Sequence, residues 1–179
     1  MSMRVWLRAG FAALAAAFMA NVAAQQPLYG APVSVETAKK AAAAAVAEAR
    51  KNGWNMAVAV VDPGGHLVYF ERMDTVQYGS IAIAQDKAHA TAIFRRATKS
   101  VYDELEKGGA GLRYLSLRGF VTSEGGELIM QDGKVIGAIG LSGGSGAQDG
   151  QCARAGLADR KSTRLNSSHI QKSRMPSSA

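Results

Sequence analysis

Apolar and polar positions change period several times along the chain, and the changes mark its elements. The stretch around which the other elements are organised is Met56 to Arg72, MAVAVVDPGGHLVYFER. Ala57, Ala59 and Val61 alternate with Val58 and Val60, so both faces of this first arm are apolar. That is the pattern of a strand buried on both sides, in the middle of a sheet. Asp62-Pro63-Gly64-Gly65 breaks the run: proline presets φ for a turn, and a tight reversal puts at least one of the two glycines at positive φ. The second arm, His66 to Arg72, is β-rich through Leu67, Val68, Tyr69 and Phe70. A second apolar hairpin is read from Glu127 to Met130, a turn at Asp132-Gly133, and Lys134 to Leu141.

Helical periods fill the spaces between the hairpins. Ser34 is a good N-cap for a helix to about Lys51, with Glu36 favourably placed in its first turn. Val35, Ala38, Ala42, Ala45, Val46 and Ala49 form a narrow stripe of small residues, so this helix can approach the sheet closely. Asn52-Gly53 ends it. A second helix is expected from a Ser80 cap to about Thr98, with Ile81, Ala84, Ala88, Thr91 and Arg95 along one side. Val101 to Lys107 reads as a shorter helix stopped by Gly108-Gly109. Leu112 to Leu117 has no decisive period, and Gly119 to Thr122 is a candidate further strand. After the turn Ser142 to Ser145, a final helix runs from about Ala147 to Ala158. The result is an α/β (α+β) fold: one antiparallel sheet with helices packed on it. Gln25 to Val33, with Pro27, Gly30 and Pro32, is an extended arm ahead of it.

The two ends change the picture. Arg4 and Arg8 precede an apolar run from Ala9 to Ala20, and Val22-Ala23-Ala24 supplies small residues, so residues 1–24 read as a secretory signal peptide cleaved after Ala24. An uncleaved anchor is the alternative, with an apolar run short for a membrane span. Cleavage implies a periplasmic or secreted protein without stable membrane anchoring. Ser162 to Ala179 has six serines, no acidic residue and no apolar period. Residues 160–179 read as a disordered, non-native tail resembling translated vector sequence, the alternative being a native disordered tail. One domain remains, residues 25–159.

Trimming the ends also removes the charge. The chain has 21 basic and 14 acidic residues, and all 14 acidic residues lie between Gln25 and Asp159 with an equal number of basic ones. The domain is neutral, so the basic composition gives no argument for nucleic acid. Cys152 is the only cysteine, so no intrachain disulfide forms. Stability must come from the core or from assembly, and an alanine-rich neutral domain suggests a homo-oligomer.

Familiar chemical motifs are absent, and His66, His89 and Cys152 are too scattered for a zinc cluster. Antiparallel pairing of the second hairpin brings Gly125-Gly126 and Gly143-Gly144 to the same edge of the sheet. Their N–H groups, with the N-terminus of the last helix, can hold a carboxylate, or the glycines simply make turns. His89 can ligate a haem iron while Lys87 or an arginine pairs with propionates, or His89 is an ordinary solvent-facing histidine. At roughly 100° per residue, positions 87 and 91 share a side of the helix and 89 points away. Either Lys87 and Thr91 line a sheet-side pocket, or His89 is the ligand at a surface or subunit-interface site. His66 reads as exposed, Cys152 as a small core residue, and Arg72, at a strand end, faces an anion or solvent. As an enzyme acting on a small oxo- or hydroxy-acid, Lys87 or Arg72 would hold the carboxylate and Asp149 or Glu124 would move a proton. A ligand-free, partner-binding subunit is the third reading.

VVDPGGHLVYFERMD, AQDKAHATAIF and GGELIMQDGKVIGAIGLSGG, with Asp149 and Ala155-Gly156, resemble the GlcG/HbpS-like family, often labelled haem-degrading. The blocks occur in family order from about Val35 to Asp159. The resemblance implies a profilin-like fold with a five-stranded antiparallel sheet, self-assembly, and haem as a cofactor in some exported members. Family members do not all use the same iron ligand, so only the motif positions carry over; Lys87, His89, Thr91, Arg72, Gly125, Gly126 and Asp149 are the candidate cofactor-binding residues, with His89 and Thr91 the candidate iron ligands. Gly150 departs from the family pattern, where an acidic residue is common.

Overall fold

The computed structural model describes residues 26–158. The expected signal peptide and tail lie outside the described residues. Helix α1 (Val35–Lys51) starts as the sequence indicates: Ser34 is extended, and its Oγ accepts from the Thr37 N–H at 3.2 Å. Ala38, Ala42, Ala45, Val46 and Ala49 are buried, joined by Ala41, while Val35 at the helix start is 46% exposed. Asn52 and Gly53, the latter at φ +72°, close it.

Strand β1 (Ala57–Val61) is buried along its whole length, and β2 (Leu67–Arg72) pairs with it antiparallel. In the turn between them Gly65 takes φ +83° and its N–H donates to the Asp62 carbonyl at 3.0 Å. Strands β3 (Gly126–Gln131) and β4 (Lys134–Ser142) form the second hairpin. Asp132 and Gly133 both have positive φ, the geometry of a two-residue hairpin turn. The order is β2-β1-β4-β3, antiparallel throughout.

Among the described residues the sheet has four strands, not the five that the resemblance implies. Residues 119–122 are irregular. Gly119 lies at φ +83° and Phe120 stacks on Phe94 with ring centroids 3.8 Å apart, so this run packs through its side chains and makes no ladder. The N-terminal arm occupies the place beside β4 that β1 leaves free. The Val135 N–H donates to the Leu28 carbonyl at 2.8 Å, and the Gly30 and Val33 N–H groups donate to the Val135 and Ile136 carbonyls at 2.7 Å. Only a single parallel bridge, Tyr29 to Val135, results.

Two apolar layers follow from the alternation. Val58, Val60, Ile139 and Leu141 face α1 and a C-terminal helix, α4, which is helical over 146–158 to the end of the described residues. Ala57, Ala59, Val61 and Ala138 face helix α2 (Gly79–Phe94) through Ala84, Ala88 and Ala92. Gly140 lets α2 close on the sheet, because a Cβ there would run into the Ala84 carbonyl and the Ala88 amide.

Helix α2 differs from expectation at both ends. Ser80 lies inside its first turn, fully buried, and its Oγ accepts from Ser142 Oγ at 3.2 Å; Tyr78 occupies the cap position. The helix stops at Phe94 because Arg95 turns into the left-handed region at φ 51°. Arg95 is held there by the arm, donating from Nη1 to the Pro27 carbonyl at 3.0 Å with its guanidinium over the Tyr29 ring. Thr98 therefore begins a new helix, α3 (Thr98–Glu106), and the ambiguous leucine run becomes a 3-10 helix, Gly109–Ser116.

Candidate functional site

Lys87 sits in the middle of α2 and reads as polar, yet its side chain is 2% exposed. It passes the start of β3 to reach α4 on the far face of the sheet, where Nζ donates to Asp149 Oδ2 at 2.7 Å. Asp149 is in place because Ser145 and Gln148 start α4 with a reciprocal cap. The Ser145 N–H donates to Gln148 Oε1 at 2.8 Å, and the Gln148 N–H donates to Ser145 Oγ at 3.4 Å. Burial is the largest influence on the Asp149 carboxyl and raises its pKa; Lys87 and the Gly144 and Gly143 N–H groups pull the other way.

The glycine pairs do meet at one end of the sheet. The Leu141 N–H donates to the Gly125 carbonyl at 2.9 Å, and Gly126 pairs with Gly140. Gly125 covers the ion pair: at φ +124°, a Cβ would stand 2.8 Å from Asp149 Cβ and 2.9 Å from Lys87 Nζ. The amides read as an anion cradle are engaged internally. Gly144 N–H donates to Asp149 Oδ1 at 3.0 Å, and Gly126 N–H donates to Thr98 Oγ1 at 2.9 Å. The anion at the N-terminus of α4 is thus the protein's own carboxylate.

Thr91 shares the buried side of α2 with Lys87, fully enclosed, and its Oγ1 has no hydrogen-bond partner among the described residues. Arg72 stands at the sheet end in the outer strand, its guanidinium 5.8 Å from the centre of the Tyr78 ring. Glu124 pairs with Lys99 at 3.4 Å and lies close to Gly150. The structure therefore gathers Lys87, Asp149, Gly125, Gly126 and Thr91 into one packed cluster and leaves Arg72 and His89 outside it.

His89 faces outward, as the 100° rule indicates. Its Nδ1 lies 3.1 Å from the Gly65 carbonyl in the β1–β2 turn. A carbonyl only accepts, so Nδ1 is the donor; in the neutral ring Nε2 then carries the lone pair, the tautomer that ligates metals. Beside it is an open hollow of about 210 Å³ lined by Val61, Gly65, Leu67, Gln85 and Asp86. Sequence reasoning missed the Gly65 carbonyl, which lies in another hairpin. The only available signal was that both segments border one apolar strand. No group of three or more metal-binding side chains occurs among the described residues.

This architecture defines an α+β domain with a sealed ion pair at one end of its sheet and a ligand-competent histidine on its outer helix. The chain belongs to the HbpS-like family, described as haem degrading protein HbpS-like, whose model matches residues 33–158. It is 40% identical to Protein GlcG of Escherichia coli (strain K12) over 110 residues, 62% of this chain and 81% of that one. The crystal structure of a double mutant of Streptomyces reticuli HbpS is 32% identical, with a TM-score of 0.65 over 72% of this chain and 87% of that one. A crystal structure of a PduOC:heme complex is 30% identical, with a TM-score of 0.65 over 71% of this chain and 94% of that one.

Proposed function

We propose that this protein binds haem, with His89 as the axial iron ligand, and that it does so after export and as a homo-oligomer. The observation that carries the reading is the bond between His89 Nδ1 and the Gly65 carbonyl, which leaves Nε2 free beside an open hollow. The family and the haem complex of a relative support it. The hollow is too small to enclose a tetrapyrrole, so the macrocycle lies against the surface of α2 and the hairpin turn. Leu67, 51% exposed, offers it apolar contact. Ile83, 41% exposed on the same helix, gives a second copy an apolar place to pack. Haem supplies the redox and ligand-binding chemistry when bound; this chain supplies the imidazole, its fixed tautomer and the apolar seat.

The small-acid reading fares less well, because Lys87 is committed to Asp149 and neither is accessible. Haem titration decides. His89→Ala should shift the Soret maximum and weaken binding by tenfold or more, on the order of 1.4 kcal/mol, whereas Thr91→Ala should leave the band in place. A wild-type band and affinity in His89→Ala would reject the assignment.

A further inference from the structure

Three connections of the chain meet at one end of the sheet. Ala57, the first residue of β1, pairs with Arg72 at the end of β2 and with Ser142 at the end of β4. The links from α1 into β1, from β2 into α2 and from β4 into α4 therefore come together there. Between them lies a hollow of about 360 Å³, lined chiefly by Trp54, Asn55, Thr75, Val76, Gln77 and Gln148. That volume falls among small-molecule sites, which run from roughly 300 to 1,000 Å³. The hollow is separate from the one at His89, which borders Val61 and Gly65 at the other end of β1. Gly143 lets the β4 link close on the β1 link, because a Cβ there would run into the Asn55 carbonyl.

The lining selects a class of ligand by what it holds and what it lacks. No charged side chain and no histidine lines the hollow. Three carboxamides and a hydroxyl line it instead. The exposed side chains of Asn55, Thr75 and Gln77 make no hydrogen bond to another described residue. Gln148 commits its oxygen, which accepts from the Ser145 N–H at 2.8 Å, and its amide nitrogen is left over. Beside these polar groups Val76 is buried, and Trp54 is half-buried against the core, with its N–H donating to the Ala49 carbonyl at 2.9 Å. An anion would need a cation or free N–H groups, but the Gly144 and Ser145 amides are already held by Asp149 and Gln148. A cation would need a carboxylate in the lining. A wholly apolar ligand would dry the carboxamides without replacing their bonds. Carboxamides and hydroxyls both donate and accept, as do the hydroxyls of a sugar. An indole offers an apolar body to the C–H face of a sugar ring.

We propose that this hollow binds a neutral saccharide, with the sugar ring against Trp54 and Val76 and its hydroxyls on Asn55, Thr75, Gln77 and Gln148. The chain has two tryptophans, Trp6 and Trp54, so Trp6→Phe in the full chain makes Trp54 the sole reporter. Its fluorescence is followed while D-glucose, D-galactose, maltose or N-acetyl-D-glucosamine is added, with gluconate and glycolate as anionic controls. At least one of the sugars should shift the emission saturably, with a Kd on the order of 1 mM or tighter. The anions should bind at least about tenfold more weakly, and added salt should leave the sugar affinity within about twofold, because no charge pairs with the ligand. Asn55→Leu/Gln77→Leu should weaken sugar binding by about tenfold or more through lost hydrogen bonds. Both side chains are exposed, and circular dichroism checks that the variant folds.

No saturable response to any of the sugars overturns the proposal. Gluconate bound as tightly as glucose overturns it too, because the uncharged lining is what selects the ligand. Unchanged sugar affinity in the double variant puts the site elsewhere and has the same force. Should that variant not fold, Thr75→Val replaces it: a loss of about threefold or more is expected, and unchanged affinity again overturns the proposal.

Discussion

Single residues in this fold owe their behaviour to partners that are distant in sequence. Cys152 is the simplest case. Its place among apolar residues identifies a core thiol, and it is fully buried between α4 and the sheet. Burial, with smaller contributions from Glu48 and Asp149, raises its pKa from 9.0 to about 11. In the unfolded chain the thiol ionises first, so between those pH values the folded state holds more protons, and stability falls as pH rises. Below pH 9 the thiol is protonated in both states and the loss vanishes. Urea unfolding at pH 8 and pH 10.5 should show an extra loss of about 1–2 kcal/mol in wild type that Cys152→Ala lacks; parallel pH profiles would contradict it. His89 marks the limit of reading at this scale. Its outward direction follows from helix geometry, but its tautomer depends on a carbonyl 24 residues earlier, which no local pattern signals.

At the scale of elements, α2 carries the main lesson. The sequence identified the helix and its alanine side. It misplaced the ends, because the cap serine is bonded to β4 and the stop is imposed by the N-terminal arm. It also could not determine what Lys87 does, since a lysine in an amphipathic pattern counts as polar until a partner is known. That partner, 62 residues on, turns Lys87 into a tie between helices on opposite faces of the sheet. Lys87→Met or Asp149→Asn alone should destabilise the protein by about 3–5 kcal/mol, because each strands a buried charge or its donors. Lys87→Met with Asp149→Leu should recover much of that loss. Chemical denaturation of the three variants tests this, and additive losses in the pair would show that the two residues act separately.

For the whole molecule, the two hairpins were legible because each is local: an apolar run, a glycine turn, a second run. The order β2-β1-β4-β3 was not, because the β1–β4 pairing joins the hairpins across two helices. The fifth strand was expected from resemblance. In its place stand an aromatic stack at Phe120 and an arm bonded to the free stretch of β4. Tyr78, Ile83 and the leucines of the 3-10 helix are exposed, and an assembly would cover apolar side chains of this kind. Light scattering at micromolar concentration should report a dimer or larger species. Ile83→Arg should shift it toward monomer, and a monomeric wild type would dismiss the assembly.

The arm has a consequence for the order of events in synthesis. Residues 28–33 are among the first described residues to leave the ribosome, and their docking site on β4 belongs to the last strand made. The same strand completes the central pairing with β1. A nascent chain stopped before β4 lacks both the inner strand and the ledge that receives the arm, so it has no native core to close. Folding is therefore withheld until β4 has been made, and pairings so far apart in sequence form slowly. The long open interval suits the export proposed above, which needs a chain that stays threadable.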